Sequence, residues 1–442
     1  MRVVRGGDVL DVPVDGPVTV LPARDVWIDG DRIEAVLPTG ERPADGHEVV
    51  EAAGLLVMPG LVNGHTHSPM VLMRGAAEDV SVEDWFNKRV WPMEVNLNRE
   101  RVRTGALLAA TEMLLGGVTT FADHYFHADA IAEAAVQAGI RAVIAPTFFS
   151  EGGPTPMPEA IETARAINGL GGLITGNLGP HSAYTVSESD LTATAAIAAA
   201  EGLRIHLHAS ENIQQTRSSL DRLGVTPIEV LRRTGVLDAG ALIAHGCGIV
   251  PEDAEALAAH ASRTGVASCP KVYLKHALAP VTPIPLLQRC GVAVGAGTDG
   301  AAGHTTLDVW ESLRLVAMTQ KYQEADGTYL TCGETLRLAT RGGATAVGLG
   351  HEIGAIEPGL KADLALVDLT GLHLQPVHDP LAALVYAVGP RDVHTVIVNG
   401  RTVVADHRPV TVDTDRLRSD VAAVATALVD TSHGRSVQHY AP

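Results

Sequence analysis

The grammar of hydrophobic and polar positions changes along the chain. The first 58 residues read as strands. Val26-Trp27-Ile28-Asp29-Gly30-Asp31-Arg32-Ile33 sets an Asp-Gly turn between β-rich flanks, which predicts a hairpin. The far end repeats this: 362–367 alternates into a strand, and Val396-Ile397-Val398-Asn399-Gly400-Arg401-Thr402-Val403-Val404 reads as an Asn-Gly hairpin. Between these brackets, short apolar runs lie near 61–65, 118–123, 141–147, 173–178, 203–208, 241–245, 266–269 and 292–298. Helical runs separate them, for example 101–115, 128–137, 188–200 and 251–261. Gly116-Gly117 and Ala138-Gly139 stand where helix C-caps favour glycine. Eight strands alternating with helices predict a (β/α)8 TIM-like barrel. A doubly wound open sheet is the alternative, disfavoured because no G-x-G-x-x-G opens its first helix. The tail from about 415 reads as a helix over 417–429, docked or loose.

Length and charge narrow the function. The 442 residues are 46% hydrophobic and 19% charged, ample for a large core. At ~150 residues per domain, the soft expectation is about three domains, although an α/β barrel can run to ~250 as one. Against 51 Asp and Glu stand 33 Lys and Arg, a formal net charge of −18. That argues against a nucleic-acid partner, whose phosphates need clustered positive charge, and against an anionic membrane surface. Cys247, Cys269, Cys290 and Cys332 are widely spaced, with no C-x-x-C, so neither a disulfide framework nor a thiolate zinc site is expected. MRVVRGGDVLDV has no apolar signal region and no apolar run reaches ~18 residues, which predicts a cytoplasmic protein.

The candidate chemistry sits at strand ends. His65-Thr66-His67 closes the first barrel strand, and residues two apart in a strand point the same way. Two imidazoles thus project from the carboxyl end of a strand, where barrel active sites lie. Such a pair alone is a weak signal among 19 histidines. His206-Leu207-His208 ends the fifth strand, His245 the sixth and Asp299 the eighth. Ligands distant in sequence but gathered at one rim are what a metal site requires.

Three motifs then resemble a known family. Pro59-Gly60-Leu61-Val62-Asn63-Gly64-His65-Thr66-His67, His208-Ala209-Ser210-Glu211 and Gly297-Thr298-Asp299-Gly300 resemble the amidohydrolase superfamily. Leu72-Met73-Arg74-Gly75 through Trp91-Pro92-Met93-Glu94, and Gly179-Pro180-His181-Ser182-Ala183-Tyr184-Thr185, resemble its branch of methylthioadenosine/S-adenosylhomocysteine deaminases and triazine hydrolases. Gly359-Leu360-Lys361-Ala362-Asp363-Leu364-Ala365 is similar to the superfamily's closing motif, so the resemblance covers roughly residues 1–410. It implies a metal-dependent barrel over 59–354 and a composite β-sandwich from 1–58 and 355–442, which also carries the C-terminal helix.

The resemblance further implies one divalent ion per chain, zinc or else iron, on His65, His67, His208 and Asp299. Asp299 would also take the proton of the attacking water, His245 would bond that water, and Glu211 would protonate a ring nitrogen. Glu94 and His181 match substrate-contacting positions, and Trp85 is a candidate to stack on a flat substrate. No lysine stands at the end of the fourth strand to bridge two metals. The implied reaction is hydrolytic deamination of an amino-substituted heterocycle, foremost an adenine nucleoside or 5′-modified adenosine. A triazine hydrolase or a guanine- or pterin-type deaminase is the alternative. The implied partners are a small heterocyclic substrate and water, in a homodimer or homotetramer.

Plainer readings stand beside these. His206 reads as a hydrogen-bonded core histidine, Cys247 as a small buried hydrophobe, and Trp85, Trp91 and Trp310 equally as core. Glu78, Asp79, Glu83 and Asp84 read as a solvated face. The chain also departs from the branch. Cys269-Pro270-Lys271-Val272-Tyr273-Leu274-Lys275 replaces an Asn-Pro-x-Ser-Asn-x-Lys pattern, and His304-Thr305 replaces an Asn pair. After the third strand, Thr147-Phe148-Phe149-Ser150-Glu151 has no arginine to grip an amino-acid carboxylate, which favours a substrate with a neutral tail. Arg74 or Arg89 could supply that cation from another loop.

Overall fold

The two β-rich brackets hydrogen-bond to each other. In the structure, a computed structural model describing residues 1–440, they form one nine-stranded sheet. Its path runs Arg408–Pro409, Arg401–Ala405, Val393–Val398, Leu364–Asp368, Leu55–Pro59, Arg2–Asp11, Thr19–Asp29, Arg32–Pro38, and Glu48–Glu51 pairs with Arg2–Asp11 off this path. Both expected hairpins are present. Asn399 and Gly400 take φ of 52° and 75°, the left-handed pair that an Asn-Gly turn supplies. Val4, Val26, Ile28, Val57, Leu364 and Ile397 belong to a separate core on this sheet.

The middle of the chain supplies eight parallel strands at the positions expected. They are β1 (Leu61–Thr66), β2 (Val118–Tyr125), β3 (Arg141–Phe148), β4 (Ile174–Gly176, continued by the two-residue strand Gly179–Pro180), β5 (Ile205–Ala209), β6 (Ala241–His245), β7 (Thr264–Ser268) and β8 (Ala293–Ala296). β1 to β4 form one arc and β5 to β8 the other. At one seam the Leu178 amide donates to Arg204 O and the His206 amide to Leu178 O, both at 2.9 Å. At the other, the Thr298 and Asp299 amides both donate to His65 O, at 3.2 and 2.9 Å. Gly297 permits this second approach, because a Cβ there would lie 2.9 Å from both the His65 nitrogen and the Cys269 sulfur. The fold is the (β/α)8 barrel with an attached β unit. Buried Val62, Ala122, Val143, Leu242 and Ala267 pack with Ala344 and Ala346 in one cluster.

Three helices matter for the site. α1 (Arg99–Leu115) is capped by Asn98, α2 (Ile213–Leu223) by Asn212, and α3 (Thr414–Leu428) by Asp413. The expected 251–261 helix is split into a 3₁₀ turn, Pro251–Asp253, and a short helix, Ala254–Ala259. No helix among the described residues is long and apolar enough to cross a membrane.

Arg141 at the base of β3 fastens barrel to sheet. Its Nε donates to Asp363 Oδ2 at 2.9 Å and its Nη2 to Asp363 Oδ1 at 3.2 Å and Asn399 Oδ1 at 3.1 Å. The two side chains are only 5% and 2% exposed. Removing one partner of such a pair strands a buried charge, at a cost of about 3–5 kcal/mol. Arg141→Met should therefore lower the urea midpoint markedly, and Arg141→Met with Asp363→Leu should recover part of the loss. Equal midpoints for Arg141→Met and wild type would refute this.

Candidate active site

The strand ends bring the expected residues to one point. His65 and His67 leave β1 on the same side, His208 leaves β5, His245 ends β6, and Asp299 follows β8. His67 Nε2 lies 3.3 Å from Asp299 Oδ1 and 3.4 Å from His208 Nε2. His65 Nε2 lies 3.7 Å from Asp299 Oδ1, and His245 Nε2 lies 3.9 Å from Asp299 Oδ2. His245 and Asp299 hold φ of 72° and 61°, a left-handed conformation unusual outside glycine, and such strain concentrates at functional sites.

The outer nitrogens fix the inner ones. His67 Nδ1–H donates to His124 O at 2.6 Å and His208 Nδ1–H to His181 O at 2.8 Å, so both Nε2 lone pairs face inward. His65 Nδ1 shares a hydrogen bond of 2.9 Å with His206 Nε2, and His65 Nε2 is buried without a partner. His206 is thus the supporting core histidine that its position suggests. Burial holds every one of these imidazoles neutral, His67 down at about 4 and His208 at about 3, with the neighbouring His67 ring adding to the effect at His208. Burial also lifts Asp299 to about 7, against the pull of the Gly300 amide. Neutral imidazoles aiming lone pairs at one another and at a desolvated carboxylate repel unless a cation lies between them. The donor set of three imidazoles and one carboxylate fits zinc or another borderline divalent ion.

His67, His208, His245 and Asp299 form one wall of a cavity at the barrel mouth. Glu211 lies on the same wall. Its carboxylate accepts from Gln215 Nε2 at 2.7 Å, and its amide donates to Gln215 Oε1 at 3.0 Å. Burial, with the Asp299 charge adding, raises Glu211 to about 7, although Gln215 and Tyr184 pull it down. Glu94 accepts from the Tyr125 hydroxyl at 2.6 Å, and burial raises it to about 8. His181 donates or accepts at Thr185 Oγ1, 2.9 Å away, and stacks on Phe149 at 4.6 Å. Trp85 and Trp91 line the cavity from a segment capped by Ser81 that passes through a π-helical turn, Trp85–Val90.

Several finer expectations are corrected. Phe148 is fully buried and does not line the cavity; only Phe149 does, because neighbouring residues at a strand end face opposite ways. Trp310, in keeping with its core reading, is fully buried, its indole donating to Gly116 O at 2.9 Å. Arg74 is held by Glu112, and Arg89 is exposed; neither reaches the cavity, which no lysine or arginine lines among the described residues. Glu78 is not merely solvated, since Lys275 pairs with it. Three departures from the branch are structural: Lys271 pairs with Glu311 at 2.7 Å, Tyr273 accepts from the Cys269 amide at 2.7 Å, and His304 bonds Ser312 at 3.1 Å, whereas Val272 lines the cavity. Burial pushes the Cys247 thiol up to about 12, leaving it inert.

Sequence reasoning overlooked His124 and Tyr125, which end β2 and line the cavity; the strand-end rule applied to Asp123-His124-Tyr125 would have found them. It also passed over His276, a cavity residue whose two ring nitrogens have no partner, and Tyr440.

Fold and site together define a hydrolase whose strand ends carry a histidine-rich candidate metal site. Residues 56–403 match the amidohydrolase family, and the chain belongs to it. The chain is 38% identical to a 5-methylthioadenosine/S-adenosylhomocysteine deaminase of Moorella thermoacetica, over 94% of this chain and 97% of the relative. It is 36% identical to the enzyme of that name from Pelotomaculum thermopropionicum, over 97% and 98%. Among solved structures it is similar to an adenosine deaminase from Xanthomonas campestris with bound zinc, at 32% identity and a TM-score of 0.91 over 97% and 98% of the two chains. It is also similar to a zinc-complexed atrazine chlorohydrolase from Arthrobacter aurescens, at 26% identity and a TM-score of 0.86 over 96% and 100%.

Proposed function

We propose that the enzyme hydrolytically deaminates the adenine ring of a nucleoside, with one zinc ion on His65, His67, His208 and Asp299. The observation that carries this reading is Glu211, an acid poised near neutrality, lining the same cavity as His67, His208, Asp299 and His245. Deamination needs a proton delivered to the ring nitrogen and another to the departing amine, whereas displacement of chloride from a triazine needs no protonated leaving group. The likeness to the atrazine chlorohydrolase keeps ring dechlorination as the second reading.

When bound, the zinc would acidify the attacking water. Asp299 receives that water's proton. His245, whose Nε2 lies 3.9 Å from Asp299 Oδ2, stands to bond the oxygen as charge builds on it. Glu211 donates its proton to the ring nitrogen as water adds to the amino-bearing carbon, keeping negative charge off the ring. The C–N bond then breaks as the proton held by Asp299 passes to the leaving amine and the proton of the added hydroxyl returns to Glu211, so that ammonia departs from the oxo-purine. Glu94 and His181 contact the rest of the nucleoside, and Trp85 covers the ring. Ammonia release by the zinc-loaded enzyme over a panel of purine nucleosides, guanine, pterins and triazines tests the reading. Chloride release from a chlorotriazine without nucleoside deamination would replace it with the second.

The cavity also sets an expectation for the 5′ group. A zwitterionic tail would meet Phe149, Trp91 and Phe126 and no cation, and an unpaired buried charge is costly. Adenosine, 5′-deoxyadenosine and methylthioadenosine should therefore exceed S-adenosylhomocysteine in kcat/KM by about tenfold or more, roughly 1.4 kcal/mol. S-adenosylhomocysteine winning by that margin in the same buffer would show that a cation reaches its tail.

A further inference from the structure

The segment after α3 returns to the site. Asn96 Nδ2 donates to Leu428 O and Asp430 O, at 2.9 and 2.6 Å, which turns the chain back past the loop that carries Trp85 and Trp91. Val437 then bonds Trp91 O at 3.4 Å, and Gln438 Nε2 donates to Glu151 O at 3.0 Å. Tyr440 is 3% exposed. Its ring stacks on Phe86 at 4.6 Å and 13°, and its backbone is gripped at both ends by Asn87, the amide donating to Oδ1 at 2.7 Å and the carbonyl accepting from Nδ2 at 3.1 Å. Its hydroxyl accepts from Asn212 Nδ2 at 3.2 Å.

Two of these contacts, to Phe86 and to Trp91, back a wall of the cavity. Phe86 and Trp91 line the cavity themselves, so Tyr440 supports the segment that carries them. Asn212 divides its side chain: Nδ2 goes to Tyr440, and Oδ1 accepts from the Gln215 amide at 2.9 Å as the cap of α2. Gln215 in turn holds Glu211 by both its amide and its carboxylate. One hydroxyl is thus two side chains away from the acid.

We propose that residues 433–440 are a working part of the active site, with Tyr440 a positioning residue that clamps the Trp85–Val90 turn over the cavity and braces Glu211 through Asn212 and Gln215. The role assigned to Glu211 rests on the deaminase reading; the clamp on the turn does not. A buried aromatic ring with a hydrogen-bonded hydroxyl makes a rigid anchor, since its ring and its polar tip are fixed together. An acid whose supporting groups loosen loses catalysis while its substrate contacts persist.

The test uses the full zinc-loaded enzyme, Tyr440→Phe, Tyr440→Ala and a chain stopped after Ser432. Tyr440→Ala and the stopped chain should raise KM for the best nucleoside at least tenfold and speed amide hydrogen exchange over 85–91, with zinc content unchanged. Tyr440→Phe keeps the stack but loses the bond to Asn212. It should hold KM within about threefold and lower kcat three- to tenfold, with faster exchange at 211–216 and ordinary exchange at 85–91. A purely structural role would move melting temperature without this KM-against-kcat split. Wild-type kcat, KM and exchange in Tyr440→Ala would overturn the proposal, as would Tyr440→Phe behaving like Tyr440→Ala. If no nucleoside is deaminated by the wild type, the functional reading fails, while exchange over 85–91 still decides the clamp.

Discussion

His65→Ala should leave the enzyme without metal and without measurable turnover. Elemental analysis should fall from about one zinc equivalent per chain to a small fraction of that. The expectation follows from geometry: His65 is common to both overlapping clusters able to hold an ion, His65, His208 and His245 on one side and His65, His67 and Asp299 on the other. Its loss leaves two imidazoles and a carboxylate to hold the ion, and the buried Asp299 charge loses much of its compensation. His206→Ala provides a graded comparison. It removes only the partner 2.9 Å from His65 Nδ1, and outer partners of this kind are worth about 10–100-fold in metal affinity or activity. Two tightly bound ions per wild-type chain, or full activity in His65→Ala, would refute the single-ion assignment.

Glu211→Gln should lower kcat by about 10²–10⁴-fold, the range for a positioned general acid. The amide keeps the carboxyl shape and its bond to Gln215, so zinc content and KM should change little. The pH profile gives a second reading. Burial raises Glu211 to about 7, so its acid form is abundant below that and lost above it. The wild type should therefore show a falling alkaline limb in kcat that Glu211→Gln lacks. Undiminished turnover of a nucleoside by Glu211→Gln would assign ring protonation elsewhere.

What was legible in the sequence had a period or a position behind it. All eight barrel strands appear where apolar runs between helical stretches placed them, because buried parallel strands are apolar on both faces. The gathering of His65, His67, His208, His245 and Asp299 followed from one rule, that strand ends converge. What escaped had no such signature. The contact of Tyr440 with Asn87 and Asn212 joins residues hundreds of positions apart through a tail with no periodicity. Phe148 and Phe149 are chemically equivalent in sequence, and only the exact end of β3 decides which one meets the cavity. Arg141 looked like an ordinary strand residue, since its partner Asp363 lies within a motif read for another reason.

The nine-stranded sheet bears on how the chain is made. Leu55–Pro59 lies between Arg2–Asp11 and Leu364–Asp368, and Leu364 pairs with Pro59. A nascent chain emerging at ~5–20 residues per second must therefore wait roughly 15–60 s, while roughly 300 further residues are translated, before that strand finds its second neighbour. Throughout that interval the apolar run Leu55-Leu56-Val57-Met58 presents an unpaired edge, the kind of surface on which chains associate wrongly. Yield of the full-length enzyme should thus depend on chaperone capacity and synthesis temperature more than the stability of the finished barrel would suggest. A circularly permuted chain, with the two β brackets adjacent in sequence, would complete the sheet as one local unit.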